Sequence, residues 1–167
     1  MSRLRIFSAQ NPHVVLFETE QSDAMAEKLA TLGVGFERWP IRAINDHASN
    51  EEILAAYKPE IDELVINNGF NAVDVVSINP DHPDREIMRA KFLNEHIHKE
   101  DEIRFFVRGS GLFTMHIGDN VYEVLCQASD LIRVPDSTKH WFDMGPAPLF
   151  TAIRFFTEAD GWIGYFT

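Results

Sequence analysis

The sequence has a single cysteine and far fewer basic than acidic residues. Of its 167 residues, 15 are Lys or Arg and 26 are Asp or Glu, which gives a net charge of −11. Cys126 alone can form neither an internal disulfide nor a cluster of thiolate metal ligands, so we expect a reducing, cytoplasmic location. An acidic protein repels phosphate backbones and anionic membrane surfaces, so neither nucleic acid nor a membrane is an expected partner.

Long hydrophobic runs are also missing near the start of the chain. The longest one there is Val14-Val15-Leu16-Phe17, which is far too short for the core of a signal sequence or for a membrane span. Hydrophobic residues nevertheless make up 45% of the chain, with thirteen Phe and three Trp, so it can bury a substantial core. We expect a single domain over residues 1–167 and, because no long apolar stripe marks an interface, a monomer.

The chain changes character near residue 72. Residues 1–72 contain two helical patterns, one opened by Ser22 and closed by Gly33, the other opened by Ser49 and ended near Gly69. Residues 73–167 instead show short strand patterns that Gly, Pro and Asn separate, which is typical of a sandwich or a small barrel. The predicted fold is therefore mainly β, with the N-terminal helices packed on a β-barrel core. The predicted strands are 35–39, 73–78, 92–98, 102–107, 111–117, 120–125, 130–134 and 151–155.

Two histidines separated by one residue lie in the predicted strand 92–98. Alternate residues of a strand face the same side, so His96 and His98 point together. A short turn after them places Glu102 at the start of the next strand, within reach of both imidazoles. Two imidazoles and a carboxylate leave further positions of a metal ion open. His140, which follows a turn-rich segment, is the best candidate for a fourth ligand.

A structural interpretation competes with the metal site. An isolated His-x-His pair more often reflects ordinary strand polarity, in which each imidazole finds only a hydrogen bond. The added Glu102 and His140 favour a metal site instead. The other histidines lack ligand spacing, since three lie beside turn residues and one lies in a predicted strand: His13, His47, His82 and His116.

Strand alternation also selects side chains beside the candidate ligands. Phe92, Arg104 and Phe142 each share a face with one of them, and Arg154 can point inward from the last long apolar strand. A guanidinium buried beside a metal needs an anion, which is either a ligand carboxylate or an anionic substrate. A salt bridge between Arg104 and Glu102, and plain core packing of the two Phe rings, remain open alternatives.

The spacing of these residues resembles that of the cupin superfamily. The first cupin motif is His-x-His, three or four residues, Glu, six residues and Gly, and it is matched by His96, His98, Glu102 and Gly109. The second motif, Pro-x-Gly-x-x-His-x-x-x-Asn, is matched only in part by 135–144, where Ser and Met replace the usual Gly and Asn.

The surrounding sequence resembles one family in particular, the bacterial type of acireductone dioxygenase in the methionine salvage pathway. The matching phrases are FLNEHIHKEDEIRFF at 92–106, VPDSTKHWF at 134–142 and AIRFF at 152–156. The resemblance implies a cupin double-stranded β-helix, or jelly-roll barrel, with one Fe(II) or Ni(II) per monomer. The metal ligands that it implies are His96, His98, Glu102 and His140.

The resemblance also implies a reaction with O2. The substrate is the acireductone 1,2-dihydroxy-3-keto-5-methylthiopentene. The iron form yields formate and 4-methylthio-2-oxobutanoate, and the nickel form yields carbon monoxide, formate and 3-methylthiopropanoate. By resemblance Arg104 stabilises the substrate dianion, Phe92 and Phe142 become walls of the substrate pocket, Glu95 helps metal loading and Asp101 relays local conformational change.

Other interpretations of two of these residues, and of the function of the whole chain, remain open. Glu95 and Asp101 read equally well as solvated acids. A different cupin enzyme, such as a zinc-type sugar isomerase, would share the ligands but not the surrounding phrases. A non-catalytic cupin sensor would usually carry a DNA-binding helix pair and basic patches, whereas this sequence has no basic patch and its predicted N-terminal helices are acidic.

Overall fold

A computed structural model of the chain describes residues 1–158 and 160–167. In these residues it contains four helices and eleven strands, so the prediction of a mainly β fold is confirmed. The helices are α1 (Ser22–Ala30), α2 (Asn50–Ala56), α3 (Lys58–Asn68) and α4 (Arg85–Leu93). The strands are β1 (Arg3–Ser8), β2 (Asn11–Thr19), β3 (Gly35–Arg38), β4 (Ala72–Ile78), β5 (His96–Ile97), β6 (Glu102–Ile117), β7 (Asn120–Gln127), β8 (Asp130–Val134), β9 (Lys139–Asp143), β10 (Phe150–Phe156) and β11 (Tyr165–Phe166).

Strand β6 organises the sheet. Its first half pairs with β8 and β10, and its second half pairs with β7 and β9, all antiparallel. Gly109 lies where the partners change, with φ +72°, and a Cβ there would come within 1.8 Å of the Leu149 carbonyl oxygen. Only glycine fits this position, which explains the glycine that ends the first sequence motif.

The two sides of β6 face different core clusters. Phe106 and Phe113 belong to one cluster, whereas Ile103 and Phe105 belong to the other. Alternation separates Phe106 from Ile103 and Phe105, and a register irregularity between Phe106 and Arg108 then brings Phe113 to the same cluster as Phe106. Helix α1 packs on the first cluster, and α2 and α3 pack on the second. Each fully buried Phe ring contributes roughly 1.5–3 kcal/mol of apolar burial.

The predicted helix boundaries are largely confirmed. Helix α1 begins at Ser22, and Ser49 caps α2 through a capping box, in which its hydroxyl accepts the Glu52 N–H at 3.1 Å. The second pattern divides into α2 and α3 at Tyr57, and Gly69 closes it in the left-handed conformation with φ 69°.

The predicted strand 92–98 is wrong at its beginning. Helix α4 continues to Leu93, and β5 contains only His96 and Ile97. The helix extends because Arg89 pairs with Asp143 of β9 and because Phe92 packs edge-on against Phe142 at 6.5 Å between ring centroids. Tertiary contacts therefore override the local strand pattern.

The N-terminal region adds two strands that the sequence did not predict. Strand β1 pairs with β7, and β2 pairs with β1 at the end of the sheet. Strand β2 lacks the alternation of a half-buried strand, since its first six residues are all exposed. In the described part of the chain, no helix is both long enough and apolar enough to cross a membrane.

Candidate active site

Three buried histidines come together at one end of the sheet. His96 lies in β5 and pairs directly with His140 of β9, and His98 follows β5 by one residue. One ring nitrogen of each imidazole lies within 4.8 Å of the other two. The fold thus brings together the His-x-His pair and the distant histidine that the sequence placed in the same site.

Hydrogen bonds at Nδ1 orient all three rings. His96 and His140 each donate from Nδ1 to the carbonyl oxygen two residues earlier, at 2.7 Å in both cases. His98 instead donates to the carbonyl oxygen of Ile163 near the C-terminus, at 2.9 Å. Because a carbonyl oxygen only accepts, each Nδ1 carries the hydrogen, and each Nε2 is left for the centre of the site.

Glu102 begins β6 and is buried among these rings. Its Oε2 lies 2.9 Å from His140 Nε2 and 3.1 Å from His98 Nε2. Burial acts to raise the pKa of the Glu102 carboxyl, but the neighbouring Arg104 guanidinium holds that pKa well below its usual range. With the hydrogen on Nδ1, each imidazole presents its Nε2 lone pair beside the carboxylate, and this set of nitrogen and oxygen donors fits a metal ion.

Arg104 is the next residue on the same face of β6 and is also buried. Its Nε lies 2.8 Å from Glu102 Oε1, yet the Nε–H is not aligned for a hydrogen bond and finds no other partner among the described residues. The guanidinium lies over the rings of Phe142 and Phe113, at 5.1 and 5.5 Å from their centroids. A buried, incompletely bonded guanidinium is suited to a second anion.

A cavity of about 260 Å³ opens beside the candidate ligands. His96, His98 and Arg104 line its polar side. Its apolar lining comes mainly from α4, β4 and the C-terminal residues, namely Val76, Met88, Phe92, Trp162 and Phe166. A larger, more open groove of about 390 Å³ lies beside His116 and Lys139 but contacts none of the candidate ligands.

Of the other three residues predicted to bind the substrate, two line the cavity and one does not. Phe92 reaches the cavity from α4 rather than from a strand. Arg154 lines the cavity and is held by Asp74, with its Nε and Nη2 at 2.9 and 2.6 Å from the two carboxylate oxygens. Phe142 is buried behind Arg104, and it supports that guanidinium instead of lining the cavity.

The two accessory acids are both engaged with neighbouring segments. Glu95 Oε1 accepts the Thr167 hydroxyl at 2.7 Å. Asp101 accepts Arg133 Nε at 2.8 Å and the backbone N–H of Asp136 at 3.0 Å, so it connects the turn after His98 to the loop before His140.

Sequence reasoning missed the contribution of α4 and of the C-terminal residues. Met88 and Trp162 line the cavity, and Ile163 orients a candidate ligand. The available signal was the aromatic stretch 161–166, which contains two glycines and Trp162. Ile163 acts through its backbone carbonyl, which no residue pattern reveals.

An ion pair fixes α4, and with it one wall of the cavity. Arg89 Nε donates to Asp143 Oδ1 at 3.0 Å, and this bond is the main reason that the pKa of Asp143 is lowered. A depressed carboxyl pKa contributes stability above its unfolded value, about 3.9, and that contribution is lost as the pH falls through the folded value. We therefore expect Asp143→Asn to be less stable than wild type at pH 7, and this difference in stability to shrink as the pH falls below about 3.9 toward the lowered folded pKa.

Urea midpoints measured at pH 7 and pH 3 check this prediction. Asp62→Asn is the matched control, because Asp62 pairs with Lys58 on the surface of α3. A stability deficit of Asp143→Asn that persists unchanged at pH 3 would contradict the assignment to the ion pair.

Comparison with known proteins agrees with this site. Residues 4–164 match the sequence model of the ARD/ARD' family. The chain is 58% identical to the acireductone dioxygenase of Xanthomonas oryzae pv. oryzae and 56% identical to that of Xylella fastidiosa, in each case over 100% of this chain and 89% of the relative. Among solved structures it is similar to acireductone dioxygenase from Bacillus anthracis with a cadmium ion in its active centre. That similarity has a TM-score of 0.86 and 29% identity over 99% of this chain and 98% of the other. The predicted cupin-type fold and family resemblance are confirmed, and the chain belongs to the ARD/ARD' family.

Proposed function

We propose that the chain is an acireductone dioxygenase of methionine salvage, which oxidises 1,2-dihydroxy-3-keto-5-methylthiopentene with O2. One observation carries the proposal. The three oriented imidazoles lie together with Glu102 and the incompletely bonded Arg104 beside one cavity. Relatives that are 58% identical over the whole chain are named acireductone dioxygenase, which supports the assignment. We take the chain as one domain and as a monomeric cytoplasmic enzyme whose partners are this substrate and O2.

The cofactor is one Fe(II) or Ni(II) per monomer. Neutral imidazoles with a carboxylate suit either ion, and the cadmium ion in the Bacillus anthracis relative supports a metal at this centre. When bound, the metal supplies Lewis acidity that favours loss of the enediol protons. The proposed ligands are His96, His98, Glu102 and His140. We expect 4-methylthio-2-oxobutanoate and formate from the iron form, and 3-methylthiopropanoate, formate and carbon monoxide from the nickel form.

The chain's own residues prepare the substrate for oxidation. Arg104 directs a buried positive charge at the position of the enediolate, and Phe142 beneath it keeps the guanidinium in place. Arg154, held by Asp74, adds a second cation to the same cavity. Met88 and Phe92 offer an apolar surface to the methylthio tail and exclude water from the reacting end.

The accessory acids act outside the cavity in this proposal. Glu95, bonded to Thr167 at a partly exposed edge beside His96, assists metal loading. Asp101 passes conformational change between the turn that carries the first ligands and the loop that leads to His140.

Loading the purified protein with each metal tests the function. Protein with Fe(II) or with Ni(II) is expected to bleach a synthetic acireductone under oxygen, and chromatography should find the two different product sets. Protein stripped with a chelator should leave the reaction at its background rate, and activity should return when the metal is restored. Fully loaded protein that leaves the acireductone unchanged would overturn the proposal.

A further inference from the structure

The orientation of His98 depends on a distant part of the chain. The other two imidazoles use carbonyl oxygens two residues away, whereas the acceptor for His98 Nδ1 is the Ile163 carbonyl oxygen, 65 residues further along. Residues 160–167, called here the C-terminal segment, supply this acceptor. The segment also lines the cavity through Trp162 and Phe166, and Thr167 bonds Glu95. Gly164 faces His96, and β11 pairs with β5 over two residues.

Glu100 holds the chain immediately before this segment. Its Oε1 accepts the Thr157 N–H at 2.8 Å, and its Oε2 accepts the Glu158 N–H at 3.0 Å. The same carboxylate touches the segment itself, since a Cβ on Gly161 would lie 1.9 Å from Glu100 Oε1. Gly161 is not in the left-handed region, so the need for glycine there comes from the closeness of Glu100 and not from the backbone conformation.

The residues of the turn between β5 and β6 therefore contact different parts of the site. His98 and Glu102, at its two ends, face the centre of the site. Asp101 bonds the loop before His140, and Glu100 bonds the chain before the C-terminal segment. Glu100 contacts Gly161, two residues before Ile163, whereas the β11–β5 pairing and the Thr167–Glu95 bond fix the far end of the segment. A shift of Glu100 would therefore move the near end of the segment, and with it the Ile163 carbonyl, away from the imidazole whose hydrogen it receives.

We propose that Glu100 is a positioning residue for the metal centre, which holds the C-terminal segment so that the Ile163 carbonyl keeps His98 in its ligand orientation. The inference rests on the metal site of the proposed function. Partners of metal-bound imidazoles fix the tautomer and the ring orientation, and losing one commonly weakens metal affinity by about 10- to 100-fold.

Metal affinity measured without any acireductone tests the proposal. Ni(II) binding to metal-free protein, followed by competition with a chelator, is expected to weaken by about 10- to 100-fold in Glu100→Ala and by less in Glu100→Gln, which keeps one acceptor oxygen. Glu63→Ala, on the exposed face of α3, is the control and should bind as wild type. Wild-type affinity in Glu100→Ala would overturn the proposal.

Gly161→Ala gives an independent perturbation, because its methyl group displaces the Glu100 carboxylate without removing it. We expect a similar loss of Ni(II) affinity. In the double variant Glu100→Ala/Gly161→Ala the clash is gone, so the loss should not exceed that of Glu100→Ala alone. Additive losses would show that the two residues act separately, and would overturn the proposal.

Imidazole spectra distinguish positioning from general damage. In Cd(II)-loaded, ¹⁵N-histidine-labelled protein, Glu100→Ala should lose or shift the His98 Nδ1–H signal while those of His96 and His140 stay in place. An unchanged His98 signal, or simultaneous loss of all three, would contradict the proposed role. If wild-type protein binds Ni(II) but leaves acireductone untouched, the proposed function fails while this inference stands.

Discussion

Replacing His96 with Ala is expected to remove the metal and to reduce acireductone turnover by at least about 10³-fold. Metal-ion stabilisation is worth several kcal/mol of activation free energy, and each 1.36 kcal/mol is a factor of ten in rate. His96 is the informative candidate ligand to remove because its Nδ1 bonds a local carbonyl, so its loss leaves the Ile163–His98 contact in place. The backbone pairing of β5 with β9 does not depend on the imidazole.

Metal content by mass spectrometry and turnover under saturating Fe(II) check this expectation together. His13→Ala is the matched control, because His13 lies on the exposed part of β2 and should leave both quantities unchanged. Circular dichroism of the metal-free variants should match that of the wild type. Normal metal content with normal turnover in His96→Ala would exclude His96 as a ligand.

The part of the site that could be predicted from sequence is the part that strand geometry controls. His96 and His98 share a face, and Glu102 opens the next strand, as alternation and a short turn require. The turn-rich segment before His140, together with the motif resemblance, predicts it as the fourth ligand. The structure supplies the physical reason, which is its direct pairing with His96 across two strands.

The part that could not be predicted depends on tertiary contacts. Phe92 was assigned to the strand face of the histidines, but the Arg89–Asp143 pair and the packing on Phe142 keep it in α4. It still reaches the cavity, from a different direction. Similarly, β2 has no alternating pattern because both of its faces are largely exposed, and only pairing with β1 makes it a strand.

Backbone contributions lie entirely outside what a residue pattern can reveal. The Ile163 carbonyl orients His98, and the Thr157 and Glu158 amides bind Glu100, yet none of these groups depends on the identity of the side chain. Such contacts need the fold to be known first. They link the last residues of the chain to the first motif and explain why the C-terminal segment belongs to the site.

Arg104→Ala is expected to separate substrate chemistry from metal binding. The four proposed ligands remain, so metal content should stay near that of the wild type. Turnover should fall by about 10²- to 10³-fold, because a buried charge aimed at the developing dianion is lost. Arg104→Lys should recover only part of the rate, since an ammonium group keeps the charge but not the planar fork that lies over Phe142.

The measurement is metal content alongside kcat and KM for the same preparations. Arg5→Ala is the control, because Arg5 forms a surface pair with Glu18 far from the ligands in the fold. The competing interpretation makes Arg104 a structural partner of Glu102, whose Oε1 lies 2.8 Å from its Nε. Under that interpretation Arg104→Ala loses the metal as well as the activity, and Arg104→Lys restores both. Full metal occupancy with a strongly reduced kcat instead assigns the guanidinium to the substrate, because Glu102 then keeps its place among the imidazoles without it.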